Sequence, residues 1–169
     1  MELQVLKALL EAWGIDIPKL AQEDGLDERI KAQKLVHLLQ NKIYKADLLY
    51  GYGMYLHGPY SPELSQDYYQ LARENESIEA KPLSDKAKVK VEEIKSDCHE
   101  FMKANNIDSD VLALEVLGTT LFFAKGYSES ERVVAAVTTA KPRLKENEKH
   151  IRKALSFLQD KGYLQSEIP

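Results

Sequence analysis

The segment YGYGMYLHGPYSPELSQDYYQL, from Tyr50 to Leu71, limits what this chain can fold into more than any other part of the sequence. It holds six of the nine tyrosines together with several glycines and prolines. Aromatic residues interleaved with glycine and proline can stack on bases or bind a peptide, but the same residues also build strands, turns and helix caps. Apolar and open positions alternate with a period of two, which predicts a strand over residues 50–57 that ends at Gly58 and Pro59. The predicted apolar face consists of Tyr50, Tyr52, Met54 and Leu56.

A helix is predicted to begin directly after this strand. Ser61 can accept a hydrogen bond from the first helical turn, and Pro62 is well placed at the first helical position because its missing N–H would be unpaired there. Glu63 suits the positive end of the helix dipole. The buried stripe of this helix is expected to contain Leu64, Tyr68 and Leu71.

The rest of the chain has mainly helical periodicity, with apolar residues recurring every three or four positions. A capping box is predicted where Ser128 is followed three residues later by Glu131. The last helix is expected to lead into a strand at Tyr163 and Leu164, so the final three helices are typical of a winged helix. The other predicted helices cover 1–13, a span that starts near Asp27, and the ranges 85–104 and 108–124. Helix breaks are predicted at Gly14, at Asn105 and Asn106, and at Gly162.

These patterns predict a mainly α fold, with one compact helical domain over 1–169 and a small β element of two or three strands. The N-terminal half, 1–76, is expected to run helix-helix-strand-helix. Residues 77–84 form a connector, in which Ser77–Leu83 could be a strand that pairs with the tyrosine strand. The C-terminal half, 85–169, is expected to be helical and winged-helix-like.

Composition excludes several classes of protein. A chain of 169 residues with 44% hydrophobic and 30% charged residues can form one core, so neither a disordered chain nor a disulfide scaffold is indicated. The single cysteine, Cys98, cannot form an internal disulfide, and charged residues interrupt the first apolar stretch where a signal peptide would be uniformly apolar. We therefore expect a cytoplasmic protein. The longest apolar stretch, 111–124, is too short to span a bilayer, and we expect no membrane segment.

The tyrosine strand is the first candidate interaction surface. Tyr55 and His57 would face outward beside glycines that let a partner backbone approach, as at a strand edge that takes up a peptide. The turn and helix start add Tyr60 and Glu63. The alternative is that Tyr50, Tyr52 and Met54 pack in the core and the glycines mark a bulge.

Nucleic-acid binding is the second hypothesis. The net charge of −4 argues against strong overall attraction to phosphates, but a local basic face remains on the final helix. Its cations are three to four residues apart, as on a recognition helix; the alternative is a solvated helix face. This face consists of Lys145, Lys149, Arg152 and Lys153.

Glu115 is the one acidic residue inside the most apolar helix, which makes it a candidate buried acid and the centre of a third hypothesis, an enzyme. The alternatives are a structural ion pair with Arg132 or Arg143, or a solvent-facing position. The histidines are scattered, and no metal-binding, phosphate-binding or nucleophile motif occurs. We therefore predict no metal, no cofactor and no catalytic residue.

Three stretches carry a resemblance to a known family. They are QKLVHLLQ (33–40), YGMYLHGPYSPEL (52–64) and the closing pattern KP…IRKALSFLQDKGYL. Together they resemble the YwgA-like proteins of bacteria and archaea and, more distantly, the Panacea domain of SocA-like antitoxins. The resemblance implies a compact, mainly helical fold with winged-helix character. From the Panacea side it implies a protein that binds and neutralises a toxin or delivers it to a protease.

The hypothesis that best fits these observations is a non-enzymatic protein-interaction or regulatory module, with antitoxin-like adaptors as one form of it. The expected partner is a protein, either a toxin or a regulatory target, and a homodimer is a further expectation if a sheet edge is exposed. A winged-helix DNA-binding regulator is the alternative function. An enzyme centred on a buried carboxylate is the second alternative.

Overall fold

The computed structural model describes residues 1–44 and 49–164, and it confirms a mainly α fold with a small β element. The described residues form seven α-helices and one antiparallel sheet of two strands. The helices are α1 Leu3–Trp13, α2 Leu26–Tyr44, α3 Pro62–Arg73, α4 Asp85–Asn105, α5 Asp110–Ala124, α6 Ser130–Ala140 and α7 Glu148–Asp160. The strands are β1 Gly53–Tyr55 and β2 Gly58–Tyr60, and short 3-10 helices cover Pro18–Ala21 and Pro142–Asn147.

Helices α2 and α5 lie at the centre of the molecule. Helix α5 is apolar on all sides, as expected for a helix surrounded by others, and it contacts α2, α4, α6, α7 and β2. Helix α2 is buried without interruption from Ala32 to Asn41. Its polar side chains are therefore inside the protein, where each needs a partner. Both faces of α2 are buried over this stretch, because α4, α5 and β2 pack around the helix.

Three helices end at residues that the sequence marks as breaks. Gly14, Asn106 and Gly162 all have positive φ angles, of 89°, 52° and 71°. In each case the next residue donates its backbone N–H to a carbonyl five positions earlier, which closes the helix in a Schellman motif. These ends confirm the predicted breaks.

The hairpin differs from the single strand predicted over 50–57. Met54 lies opposite Pro59, and the turn of Leu56 and His57 ends at Gly58, whose φ is 88°. Gly58 and Pro59 therefore open the second strand instead of ending the first. Leu56, predicted on the apolar face, is 66% exposed at the tip.

Tyr50 lies outside the strand because its backbone has another partner. The buried side chain of Gln40 accepts from the Tyr50 N–H at 3.3 Å and donates to the Tyr50 carbonyl at 3.0 Å. The predicted burial of the Tyr50 ring is confirmed. Helix α2 therefore holds the backbone of Tyr50, at a position where the sequence predicts a strand.

Of the two alternatives for Ser77–Leu83, the structure has the extended connector and not the strand paired with the tyrosine strand. The backbone of the connector and of the turn before it forms hydrogen bonds with α1 instead. Lys81 donates its N–H to the Gln4 carbonyl at 3.0 Å, and the Lys7 ammonium donates to the carbonyls of Asn75 and Ile78 at 2.6 and 2.8 Å.

The predicted capping box at Ser128 is also wrong. Helix α6 begins at Ser130, and Glu129 occupies the cap position without a side-chain hydrogen bond. Glu131 does not fold back onto the helix start because the guanidinium of Arg152 binds its carboxylate.

No strand follows α7 within the described residues, which end at Leu164, so the strand predicted at Tyr163 and Leu164 is not formed there. Tyr163 closes α7 through its N–H, and its ring is buried. Its hydroxyl donates to the carboxylate of Asp97 at 2.9 Å. The tyrosine therefore joins the core in place of starting a wing.

Apart from Ile30, the buried apolar side chains of the described residues form one continuous cluster that runs from Leu6 in α1 to Tyr163. Over the described ranges, no helix combines the length and apolarity required to cross a bilayer.

Candidate functional site

A pocket of about 310 Å³ lies between the hairpin, the first half of α2 and α3. Four tyrosines contribute to its wall, two from the hairpin and two from α3: Tyr55, Tyr60, Tyr68 and Tyr69. Helix α2 supplies a mixed lining of Leu26, Arg29, Ile30, Gln33 and Lys34, and the hairpin adds His57 and Gly58. The volume is at the low end for ligand pockets, so it suits one or two side chains better than a large cofactor.

Gln33 holds the hairpin and α3 in position against α2. Its side-chain oxygen accepts from the Ser61 N–H at 2.9 Å, and its nitrogen donates to the Ser61 carbonyl at 3.0 Å. The Ser61 hydroxyl accepts from the Leu64 N–H at 3.3 Å and so caps α3, which confirms the predicted cap. The hydrogen bonds between Gln33 and Ser61 therefore fix both the cap residue of α3 and the wall of the pocket.

The hairpin tip projects into solvent at the rim of the pocket. Tyr55 is 64% exposed and its ring centroid lies 5.2 Å from that of Tyr60. The neighbouring Leu56 is equally exposed. Two large apolar side chains thus lie uncovered beside the pocket.

Lys34 extends beneath the hairpin and is only 2% exposed. Its ammonium donates to the Pro59 carbonyl at 2.8 Å. Two glycines leave room for its stem, because a Cβ at Gly118 would lie 3.0 Å from the Lys34 Cδ and a Cβ at Gly58 would lie 3.1 Å from its Cε. Burial, reinforced by the cations of Lys141 and Arg143, lowers the pKa of Lys34 to about 7, against the favourable charge of Glu115.

Glu115 lies behind Lys34 and is 4% exposed, so the candidate acid is buried. Its carboxylate pairs with the Arg143 guanidinium, one of the two partners considered from sequence; Arg132 instead pairs with Glu129 at 3.3 Å. Arg143 also donates to Nδ1 of His57 at 2.8 Å. Glu115 does not line the pocket itself.

Two further groups complete this cluster. Lys141 is 5% exposed, and burial lowers the pKa of its ammonium. Burial, followed by the charge of Arg143, also lowers the pKa of His57, so the imidazole is neutral near pH 7. We call Lys34, His57, Glu115, Lys141 and Arg143 the sub-hairpin cluster.

The structure places three of the four predicted interaction residues together. Tyr55, His57 and Tyr60 line one pocket, whereas Glu63 is exposed in the first turn of α3 and accepts a hydrogen bond from the Ser61 hydroxyl at 2.9 Å. Glu63 supports the helix start and does not line the pocket.

All four cations of the predicted basic face are exposed, but only Lys149, Arg152 and Lys153 lie on α7. The placement of Lys145 on the final helix is wrong, because it lies in the 3-10 helix Pro142–Asn147 before α7. The guanidinium of Arg152, however, is held by Glu131 and by Glu148, the latter at 2.9 Å. Among the described residues no acidic side chain pairs with Lys145, Lys149 or Lys153. Three cations therefore remain for phosphate contact, and DNA binding stays a prediction.

Sequence reasoning missed Lys34, Lys141 and Tyr69 as site residues. The available signal for Lys34 was Gly118, an isolated glycine within an apolar helix, which usually marks close packing against that position. Lys141 lies next to a proline in a turn and carries no comparable signal.

No protein-family model, no curated protein and no solved structure matches this chain.

Proposed function

We propose that this chain is a non-enzymatic protein-interaction module that binds a segment of a partner protein at the hairpin and its tyrosine pocket. The observation that supports this most is the pairing of two exposed apolar side chains, Tyr55 and Leu56, with a pocket of side-chain size beside them. Exposed apolar groups at the rim of a concave site are typical of protein-binding surfaces, and tyrosine is enriched in them. The proposed partner is a toxin or a regulatory target protein.

The outer edge of β1 offers backbone groups to the same partner. Pro59 has no N–H, and its carbonyl points away from β1 towards Lys34. Met54 lies opposite Pro59 in the antiparallel ladder. Two opposite residues either exchange hydrogen bonds or both point their polar groups away from each other, so the Met54 N–H and carbonyl point outward. No hydrogen bond from the described residues reaches these two groups. An extended partner segment can therefore align along β1 with its anchor side chain in the pocket.

The proposal can be tested with the double variant Tyr55→Ala/Tyr60→Ala. Tagged wild-type and variant chains are used to capture partners from the native host, and the captured protein is identified, purified and titrated calorimetrically. We expect the variant to lose at least about tenfold in affinity, because aromatic residues at the centre of an interface commonly contribute 2 kcal/mol or more, by rough estimate.

Tyr127→Ala is the matched control, since Tyr127 is also partly exposed but lies in the turn between α5 and α6. It should bind the partner as the wild type does. Equal affinity of all three folded proteins for the purified partner would refute the proposal. Light scattering of the free chain separates a foreign partner from self-association through the same surface.

A further inference from the structure

The sub-hairpin cluster has more positive than negative groups. Lys34, Lys141 and Arg143 surround a single carboxylate, that of Glu115, so the formal charge is +2 when both lysines are protonated. Glu115 is the one acidic group that acts on Lys34 and Lys141 within the described part of the chain. Arg143 is exposed to solvent, whereas Lys34 and Lys141 are buried and share the one carboxylate. Buried cations are normally paired, so two buried lysines for one carboxylate are unusual in a structural cluster.

The hydrogen bonds of the cluster are incomplete as well. A lysine ammonium has three donors, and within the described residues Lys34 has one acceptor, the Pro59 carbonyl. Thr119 is fully buried beneath Gly58, and its hydroxyl has no hydrogen-bond partner among the described residues. The charge of this site and the spare hydrogen-bond donors of Lys34 thus both favour an anionic acceptor as its ligand.

The tyrosine pocket connects this cluster to the surface, since Lys34 and His57 belong to its lining. An occupant must therefore place an anion against Lys34 and an apolar group between the tyrosines, within a space of about 310 Å³. A C-terminal residue meets both demands at once, because its carboxylate and its side chain share one Cα. A glutamate or aspartate within a segment needs a second residue to supply the apolar group.

We infer that the pocket receives the C-terminal residue of the partner protein, with the terminal carboxylate bound by Lys34 and an apolar side chain between the tyrosines. This inference rests on the proposed function and specifies the chemistry of the segment that is bound. Charge complementarity carries it, because a carboxylate both offsets the excess positive charge and accepts the unused hydrogen bonds of Lys34.

The test uses three small probes with the full chain, followed by saturable chemical-shift changes in NMR spectra. N-acetylphenylalanine carries a terminal carboxylate, N-acetylphenylalaninamide lacks it, and Ac-Glu-Phe-NH2 carries only a side-chain carboxylate. We expect N-acetylphenylalanine to bind at least about tenfold more tightly than either of the others, since a hydrogen bond to a charged group contributes roughly that factor. Equal binding of the acid and the amide would overturn the inference, and so would tighter binding of the Ac-Glu-Phe-NH2 probe.

Lys34→Met is the variant that separates this inference from the proposed function, with Lys149→Met as a control for loss of one exposed charge. Lys34→Met should weaken N-acetylphenylalanine about tenfold and abolish its preference over the amide. A captured partner that tolerates Lys34→Met but not Tyr55→Ala/Tyr60→Ala would refute the carboxylate site while supporting the interaction surface. A partner indifferent to all these variants would refute both.

The pH dependence of the acid probe gives a second readout. The groups that face Lys34 are Glu115 of α5, His57 of the hairpin, and Lys141 and Arg143 after α6. Because deprotonation removes the cation, N-acetylphenylalanine should bind more weakly at about pH 9 than at about pH 6, and the amide should not change. An acid probe whose affinity does not change with pH would count against Lys34 as its partner.

Discussion

Gly58 shows at the level of one residue how closely the hairpin fits the helices beneath it. Its φ of 88° lies in the left-handed region, which costs other residues free energy. A Cβ at this position would lie 2.6 Å from the Thr119 hydroxyl and 3.1 Å from the Lys34 stem. Two separate causes therefore require glycine here: the backbone conformation and the contact with α5 and α2.

We expect Gly58→Ala to lower the free energy of unfolding by about 2 to 4 kcal/mol, because left-handed strain of about 1 to 2 kcal/mol adds to the cost of overpacking. Urea denaturation measures this. Gly51→Ala is the matched control, since nothing lies within 4 Å of a Cβ there, and it should change stability by less than about 0.5 kcal/mol. Adding Thr119→Ala to Gly58→Ala should recover part of the loss. A Gly58→Ala protein as stable as the control would show that the hairpin is not packed as described.

At the level of the elements, Asp97 joins three helices. Its carboxylate, on α4, accepts from the Lys42 ammonium of α2 at 3.1 Å and from the hydroxyl of Tyr163 after α7 at 2.9 Å. The Lys161 ammonium lies 3.6 Å from the other carboxylate oxygen of Asp97. The side chains of both Asp97 and Lys42 are nearly buried, so neither can replace its partner with water.

Asp97→Ala should destabilise the protein by about 3 to 5 kcal/mol, since it leaves the Lys42 cation buried without its carboxylate. Thermal or urea unfolding of the full chain measures the change. Glu100→Ala removes a more exposed carboxylate that binds Lys161 at 2.6 Å, and it should cost less than about 1 kcal/mol. If the two variants lose similar stability, Asp97 does not hold these helices together.

At the scale of the whole molecule, four separate segments assemble the sub-hairpin cluster: α2, the hairpin, α5 and the turn after α6. Its buried cations reduce stability when they are charged, because desolvation opposes the charged form. Lys34 has a pKa of about 7 in the folded protein and its ordinary value of 10.5 when unfolded. Between these values the unfolded chain binds more protons, so stability rises with pH across this window and falls as pH drops through about 7.

Lys34→Met should remove most of this pH dependence. We expect the variant to be more stable than the wild type at about pH 6, with the advantage shrinking steadily towards about pH 10, because an apolar side chain carries no desolvation cost. Urea denaturation at several pH values measures the difference. Lys149→Met, which removes an exposed charge, should follow the wild-type pH profile. Parallel profiles for the wild type and Lys34→Met would show that Lys34 keeps its ordinary pKa.

The candidate site was predictable only in part. Tyr55, His57 and Tyr60 lie close together along the chain, so local alternation and turn residues were enough to group them. The ion pair of Glu115 with Arg143 joins residues 28 positions apart, and sequence left it as one of several alternatives. The burial of Lys34 was not predictable, because the pattern of a single helix does not reveal how many neighbours will cover it.

The sequence by itself determined the features that depend on neighbouring residues: the helical content, the cap at Ser61, and the helix ends at Gly14, Asn106 and Gly162. Backbone conformation and capping hydrogen bonds act within a few positions, so these features do not require the rest of the fold. Only the tertiary structure decided that Gly58–Tyr60 would pair with β1, that Tyr163 would join the core, and that Lys34 would be buried. Each of these outcomes depends on which elements pack together, because burial and charge pairing arise from contacts between distant parts of the chain.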